Sequence, residues 1–289
     1  MFPVHLPPSS PCACITFSHV HVHACVTAAP RPEYFFTELV QSKVAVTNMR
    51  GVYDDELALH IITLLLAINR QICDYRDQQT KQIYKKLRGF DAQLPPNVDV
   101  TTATALIVGV GNAGLETARL CKALGMTVLG VDARRAPSEL ASIPDLAELH
   151  APEALLSLLP RADFVLVTVP HTPSTEGMFD KIVFAAMKNT AVLVNIGRGM
   201  VVKIDDLSDA LYSGAIGGAG LDVLEIEPLP EGHPLWGAPN CILTPHVAVQ
   251  GDPKTVKIRR ENVFVENVGR FISGGQAALN NVVDKANWF

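Results

Sequence analysis

Short apolar segments recur from residue 104 onward, and stretches with a helical spacing of apolar residues separate them. None of the segments alternates polar with apolar residues, as a strand with one solvated face would. Both faces of each strand are therefore expected to be buried, as in a parallel sheet covered by helices. The pattern predicts a doubly wound α/β domain. The six segments are TALIVGV, TVLGVD, FVLVTVP, AVLVNIG, GGAGLDVL and NCILTPH.

Three further elements are expected outside this series. A short strand over 43–47 precedes a long helix over 54–75, whose apolar residues recur at the spacing of one buried helical face. The segment DAQLPPNVDV at 91–100 interrupts the pattern and is typical of a linker. The amphipathic segment TVKIRRENVFVENVGRFISGG predicts a last helix near the carboxyl end.

Residues 1–42 differ from the rest, and we expect them to be an irregular leader. Their first 32 positions are rich in Pro, Ser, His and Cys and contain no acidic residue. His19, His21, His23 and Cys25 alternate, so they would share one face of an extended strand and could ligate zinc or copper. No second group of residues has the spacing of metal ligands. We therefore favour a disordered or adventitious leader segment and predict no metal site.

The composition narrows the class of protein. A net charge of −5 does not indicate the excess of basic residues that binding to nucleic acid or to an anionic membrane surface would need. The longest apolar stretch, at 57–68, contains His60 and Thr63 and is too short to span a bilayer. The six cysteines form no CxxC pair, and no basic region precedes the first apolar residues, so we expect a reducing, cytoplasmic setting without a secretory signal.

The first chemical motif is Gly109-x-Gly111-x-x-Gly114, which follows a predicted strand and opens a predicted helix. The first glycine permits a tight turn, the second lets the backbone approach a pyrophosphate, and the third lets the helix pack on the strand. The helix N-terminus, with Asn112 and Ala113, would stabilise the phosphate charge. The motif therefore predicts a dinucleotide site.

The residue that ends the second predicted strand bears on which dinucleotide is bound. Asp132 would accept hydrogen bonds from the adenosine ribose hydroxyls and repel a 2′-phosphate, so NAD is favoured. Arg134 and Arg135 follow it, and a nearby arginine can accommodate the phosphate of NADP. NADP therefore stays the alternative cofactor.

Four polar residues follow other strands of the same predicted sheet: Arg198, Asp222, Glu227 and His246. Ligands of open α/β sheets bind outside the carboxyl ends of the strands, so these residues should converge on one crevice. An arginine, a histidine and a carboxylate supply an anion clamp, a proton donor and a group that holds the donor in its charged form. Those are the groups that reduction of a carbonyl by a nicotinamide cofactor requires.

From about residue 43 to its end, the chain resembles the D-isomer-specific 2-hydroxyacid dehydrogenases. The matching segments are VAVTNMRGV, GVGNAG, VPHTPSTEGMF, MKNTAVLVNIGRGMVV, ALYSGAIGGAGLDVLEIEPLP and NCILTPH. The resemblance implies hydride transfer between NAD(H) and a small 2-hydroxy or 2-oxo acid. Arg198 would bind the substrate carboxylate and carbonyl oxygen, and His246 would be the general acid/base with Glu227 as its partner. Pro170 and Asp222 would line the cofactor site, with Asp222 on the nicotinamide carboxamide.

The same resemblance divides the chain into four parts. Residues 1–42 are the leader, and 43–90 are a remnant of a substrate domain with its linker helix. Residues 91–250 form a Rossmann-type NAD-binding domain, and 251–289 form a helix and tail that return to the substrate domain. The resemblance thus implies a doubly wound parallel sheet with a truncated second domain.

The truncation leaves alternatives open. Members of the family usually carry a complete substrate lobe before the counterpart of VAVTN, and we find no βαβ pattern before it here. The shortfall is explained either by natural truncation or by a misplaced start that omits the true amino end. A non-catalytic NAD(H)-binding protein is the alternative function. Without the lobe, the helix over 54–75 would expose an apolar face, which we expect a homodimer to cover.

Overall fold

The computed structural model describes residues 22–24, 36–87, 98–249 and 253–286. The chain divides into two compact units, residues 1–53 with 251–289 and residues 54–250. In chain order the strands and α-helices are β1 (Val22–Ala24), α1 (Thr37–Gln41), β2 (Ala45–Thr47), α2 (Asp54–Asn69), α3 (Ile72–Thr80), β3 (Thr104–Val108), α4 (Asn112–Ala123), β4 (Thr127–Val131), β5 (Glu148–His150), α5 (Leu155–Leu158), β6 (Phe164–Val167), α6 (Lys181–Ala186), β7 (Val192–Asn195), α7 (Ile204–Tyr212), β8 (Gly218–Leu221), β9 (Cys241–Leu243) and α8 (Lys254–Gly274).

The larger unit is built on a seven-stranded sheet in the order β5-β4-β3-β6-β7-β8-β9, in which every pair is parallel. The four residues of β6 and of β7 are all buried, as expected for strands without polar alternation. The predicted doubly wound fold is confirmed. The strand order reverses between β3 and β6, so the carboxyl ends of these two strands mark the topological switch point.

The strand β5 was not among the six predicted. It lies at the edge of the sheet, is three residues long, and buries only Leu149. Its other two residues, Glu148 and His150, are polar, and His150 Nε2 lies 2.8 Å from Glu148 Oε2. A short edge strand with polar side chains carries no apolar run, which is why the sequence pattern did not reveal it.

The helix α2 belongs to the core of the larger unit. Ile61, Leu64 and Leu65 are buried and pack in one cluster with the strands of the sheet. Gly220 of β8 permits this approach, since a Cβ there would lie 3.0 Å from Leu64 Cβ. The larger unit begins at Asp54, so it includes this helix, which the sequence analysis assigned to residues 43–90. The sheet covers most of the apolar face that α2 was expected to expose, and Leu59 remains exposed on this helix.

The predicted helix over 54–75 is also interrupted. Gln71 has a positive φ of 55°, and the chain bends there by 64° between α2 and α3. Among the helices in the described part of the chain, none is long and apolar enough by itself to cross a membrane. The bent pair of α2 and α3 meets that criterion together, by length and composition only.

The smaller unit contains a two-stranded parallel sheet of β1 and β2, with Val22 opposite Ala45. The helix α1 lies between these strands in sequence. The expectation of irregular structure throughout 1–42, and of no βαβ pattern there, is therefore wrong at β1 and α1. The proposed metal ligands His19, His21 and Cys25, and the side chain of His23, lie outside the described residues.

The carboxyl-terminal segment packs with β2 in this smaller unit. The N–H of Val283 donates to the carbonyl oxygen of Val46 at 2.8 Å, and both side chains are buried. Lys285 Nζ donates to three carbonyl oxygens, those of Leu39, Ser42 and Val44. The lysine thereby adds a donor to carbonyl groups at and beyond the end of α1.

The turn from β3 into α4 depends on its glycines. Gly109 has φ of 103°, and its N–H donates to the carbonyl oxygen of Val131 at 2.8 Å. A Cβ on Gly114 would overlap the carbonyl oxygen of Gly109, so only glycine allows α4 to lie this close to the turn. A Cβ on Gly111 would meet nothing closer than Arg134 Nη2, at 3.9 Å. The three glycines therefore have different roles, as their spacing predicts.

The variants Gly114→Ala and Gly111→Ala should separate these roles in a stability measurement. Because the methyl group at 114 meets backbone, we expect Gly114→Ala to lower the free energy of unfolding by about 3 kcal/mol. Gly111→Ala should lower it by no more than about 1 kcal/mol, the cost of a poorer N-cap residue. Urea denaturation followed by circular dichroism measures both values. Equal losses for the two variants would contradict the packing described for α4.

Candidate active site

The polar residues predicted to act together all lie in the larger unit, after three adjacent strands. Arg198 follows β7, Asp222 and Glu227 follow β8, and His246 follows β9. Because these strands are parallel neighbours, the loops after them lie along one edge of the sheet. The same edge carries the glycine turn after β3.

Glu227 and His246 form a direct pair. His246 Nδ1 lies 3.1 Å from Glu227 Oε2, and the N–H of Leu224 donates to Glu227 Oε1 at 3.0 Å. The side chain of His246 is 44% exposed and that of Glu227 is 30% exposed. The second bond fixes the carboxylate, and the first turns Nδ1 of the ring toward it. Nε2 is therefore the ring nitrogen that faces away from Glu227 and can exchange a proton with a ligand.

The backbone of His246 is held in an unusual conformation. Its φ is 55°, in the left-handed region that residues with a Cβ seldom adopt. Its N–H donates to the carbonyl oxygen of Asp222 at 2.8 Å. Such a conformation persists where the surroundings determine it, and it is common at functional sites.

Asp222 holds the backbone at His246 in this conformation through several hydrogen bonds. It is 2% exposed, and its carboxylate accepts from the N–H groups of Val247 and Ala248 at 2.8 and 2.9 Å and from Thr244 Oγ1 at 2.6 Å. His60 Nε2, from α2, lies 3.3 Å from the same carboxylate. Burial alone would raise the pKa of the Asp222 carboxyl, but these hydrogen bonds outweigh it and lower the pKa to about 2. Asp222 is therefore a fixed negative charge at neutral pH.

Arg198 lies between two glycines that let its loop pack against neighbouring backbone. A Cβ on Gly197 would lie 2.5 Å from the carbonyl oxygen of Val169, and one on Gly199 would overlap that of Leu224. Asn195, fully buried, accepts from the N–H of Gly197 at 3.0 Å and donates to the carbonyl oxygen of Arg198 at 3.0 Å. The half-buried arginine is thus held at the strand end, as an anion-binding group requires.

Asp132 lies beside the glycine turn, as predicted, but both of its oxygens have bonds within the protein. Oδ2 accepts from the N–H of Val110 at 2.7 Å, and Oδ1 accepts from those of Arg134 and Arg135 at 2.8 and 3.0 Å. The residue is 8% exposed. Asp132 therefore shapes the turn itself, a role that the sequence did not indicate.

The loop after β6 borders the switch point. Thr168 Oγ1 donates to the carbonyl oxygen of Gly109 at 2.6 Å, which joins the two strand ends. Pro170 is half-buried, and its carbonyl oxygen accepts from Thr175 Oγ1 at 2.7 Å. Asn195, Thr168, Thr175, Thr244 and His60 are the supporting residues that sequence reasoning missed.

The open space at Gly111 and the first turn of α4 fit a dinucleotide. No side chain caps the N-terminus of α4, so its first N–H groups, from Asn112 to Gly114, are available to an anion. The missing Cβ of Gly111 leaves room for a phosphate at the same place. In the described part of the chain, no group of three or more His, Cys, Asp or Glu side chains is arranged to hold a metal ion.

Comparison with known proteins agrees with this geometry. Residues 62–248 match the family model "D-isomer specific 2-hydroxyacid dehydrogenase, NAD binding domain". A hydroxypyruvate reductase from Blautia hydrogenotrophica is 35% identical over 190 residues, which are 66% of this chain and 56% of that protein. The chain thus spans little more than half the length of this curated relative.

Solved structures extend the match to the smaller unit. A D-isomer specific 2-hydroxyacid dehydrogenase family protein from Aeromonas salmonicida has a TM-score of 0.76 and 30% identity, covering 91% of this chain and 78% of that one. An NADPH-dependent glyoxylate/hydroxypyruvate reductase from Sinorhizobium meliloti, in complex with NADP and sulfate, has a TM-score of 0.77 and 26% identity, covering 93% and 80%. The family model covers more than half of the chain, so the protein belongs to the D-isomer specific 2-hydroxyacid dehydrogenase family.

Proposed function

We propose that this chain transfers a hydride between a nicotinamide cofactor and a small 2-hydroxy or 2-oxo acid. The observation that carries the proposal is the Glu227–His246 pair at 3.1 Å, on the edge of the sheet that also carries Arg198 and the glycine turn. A proton-exchanging group, an anion-binding group and a dinucleotide turn are what reduction of a 2-oxo acid needs. The relatives named as hydroxypyruvate and glyoxylate reductases support the same class of substrate.

The cofactor would be held by residues already described. The N–H groups at the start of α4 would bind its pyrophosphate at Gly111, and Pro170 would line the site. Asp222, with its carboxylate fixed by four donors, would accept from the nicotinamide carboxamide. When bound, the nicotinamide supplies the hydride or accepts it.

The proton and the negative charge of the substrate would be handled by the chain itself. Arg198 would bind the carboxylate and the neighbouring carbonyl oxygen through its planar guanidinium. His246 would give a proton from Nε2 to that oxygen in reduction and take it back in oxidation. Glu227 would accept a hydrogen bond from the Nδ1–H group and stabilise the ring while it carries a positive charge.

Replacing the proton donor tests the assignment. His246→Ala should lower the rate of NADH consumption with glyoxylate or hydroxypyruvate by roughly 10²–10⁴-fold, since proton transfer contributes about that much. NADH binding, followed by fluorescence, should change little. His233→Ala is the matched control, because His233 pairs with Asp205, which is not one of the residues assigned to the site.

Two other results would change the conclusion. Turnover unaffected by His246→Ala would overturn the assigned mechanism. Tight NADH binding with no turnover on any 2-oxo acid, including phosphorylated and bulkier acids, would favour the non-catalytic NAD(H)-binding protein instead.

We propose NAD(H) as the preferred cofactor. The negative charge of Asp132 at the end of β4 disfavours a 2′-phosphate there. Arg135 is engaged by the protein, since its Nε donates to the carbonyl oxygen of Val110 at 2.7 Å and its Nη1 lies 3.5 Å from Glu139. Arg134, near Gly111, is the cation that would serve NADP in the alternative, and the Sinorhizobium relative is an NADP complex.

Steady-state kinetics with both cofactors test this preference. We expect a kcat/KM at least tenfold higher with NADH than with NADPH, and a ratio that Arg134→Ala changes little. If NADPH is preferred and Arg134→Ala removes that preference, the chain uses NADP and Arg134 binds its phosphate.

We also propose a homodimer in the reducing, cytoplasmic setting expected from the sequence. Exposed apolar side chains on α2 and α3, namely Leu59, Ile72 and Tyr75, support an interface. Cys73, Cys121 and Cys241 are free thiols, which suits a reducing compartment. Light scattering on the purified chain should give twice the chain mass, and a stable monomer at micromolar concentration would contradict the proposal.

A further inference from the structure

His60 connects the core helix α2 to the loop that carries His246. Its Nε2 lies 3.1 Å from Thr244 Oγ1 and 3.3 Å from Asp222 Oδ1. The side chain is 17% exposed, and that of Asp222 is 1% exposed. A polar contact this sheltered from water is stronger than the same contact at the surface.

The direction of the hydrogen bonds in this group follows from its charges. Asp222 is an ionised carboxylate and can only accept, so the Thr244 hydroxyl donates to it across 2.6 Å. Because the Thr244 hydroxyl donates its proton to Asp222, its oxygen can only accept from His60. His60 Nε2 must therefore carry a proton and donate, and the bonds run from His60 through Thr244 to Asp222.

The group holds the part of the site that would face the nicotinamide. Asp222 also accepts from the backbone of Val247 and Ala248, and its carbonyl oxygen accepts from His246. A donor at His60 fixes the direction in which the Asp222 carboxylate faces. It also helps to keep the 244–248 loop in the conformation that gives His246 its positive φ.

Docking of α2 does not need this side chain. The buried residues Ile61, Leu64 and Leu65 attach the helix to the sheet by apolar packing. His60 lies beside these residues, and its Nε2 faces the Asp222 carboxylate in the loop after β8. We therefore explain this histidine by its effect on the orientation of that carboxylate. This distinguishes a positioning role from a contribution to the core.

We propose that His60 is a positioning residue that acts through Thr244 and Asp222 to orient the Asp222 carboxylate for the nicotinamide carboxamide. The proposal rests on the proposed function, since it assigns Asp222 to that carboxamide. His60 itself touches neither the cofactor nor the substrate in this assignment.

Binding of two ligands to His60→Leu tests the proposal without turnover. NADH carries the carboxamide, and ADP-ribose lacks the nicotinamide ring. By calorimetry, we expect His60→Leu to weaken NADH binding about tenfold, the usual effect of one lost hydrogen bond, and to leave the Kd for ADP-ribose within about twofold. His60→Gln, whose amide N–H can donate, should restore most of the NADH affinity.

Two further variants complete the design. Thr63→Val is the matched control, because Thr63 lies on the same helix, is exposed, and donates to the carbonyl oxygen of Leu59 within that helix. Thr244→Val removes the hydroxyl between His60 and Asp222 and carries the test if His60→Leu fails to fold. The double variant His60→Leu/Thr244→Val should lose little more NADH affinity than either single variant.

Each other outcome is decisive. Equal weakening of NADH and ADP-ribose, or NADH binding unchanged in both His60→Leu and Thr244→Val, would overturn the positioning role. A selective loss of NADH affinity in a chain that turns over no 2-oxo acid would support the role of His60 and reject the dehydrogenase function. Failure of the unaltered chain to bind NADH would overturn both.

Discussion

The buried carboxylate of Asp222 is the point on which the site depends. A charge taken out of water is costly unless donors surround it, and here two backbone N–H groups, Thr244 and His60 surround it. Those donors come from α2 and from the loop after β9, while Asp222 itself follows β8. Satisfying one charge therefore fixes a helix, two strand ends and the loop of His246 relative to one another.

Close backbone contact is the second constraint on the site. Gly197 and Gly199 let the Arg198 loop lie directly against the backbone at Val169 and Leu224. Gly114 does the same for α4 against the glycine turn. Because backbone packs on backbone at these places, the loops cannot shift independently, and the groups they carry stay in register with the sheet. A glycine–arginine–glycine sequence thus places a cation where a strand ends without loosening the loop.

The sequence predicted the parts of the molecule that have a local signature. Apolar runs marked six of the seven strands of the sheet, and glycine spacing marked the turn before α4. The pairing of Glu227 with His246 was implied by the resemblance to the family, and the two side chains lie 3.1 Å apart. The strand β5 was missed because an edge strand can be polar. The packing of α2 on the sheet was not predicted, because an apolar helical face does not indicate which element it packs against. His60 could not be found, since its partner Thr244 lies 184 positions away and neither residue has a distinctive neighbour.

The carboxylates of Asp222 and Glu227, on this edge of the sheet, have different environments and are therefore suited to different roles. Asp222 is buried, both of its oxygens are occupied, and its pKa is held near 2, so it cannot exchange protons at neutral pH. Glu227 is partly exposed and bonded to the histidine ring, so it can respond when that ring gains or loses a proton. In the proposed function, proton transfer is therefore assigned to His246 with Glu227. Asp222 would provide the fixed geometry for that transfer, and the contact of His60 with its carboxylate would help to keep that geometry constant.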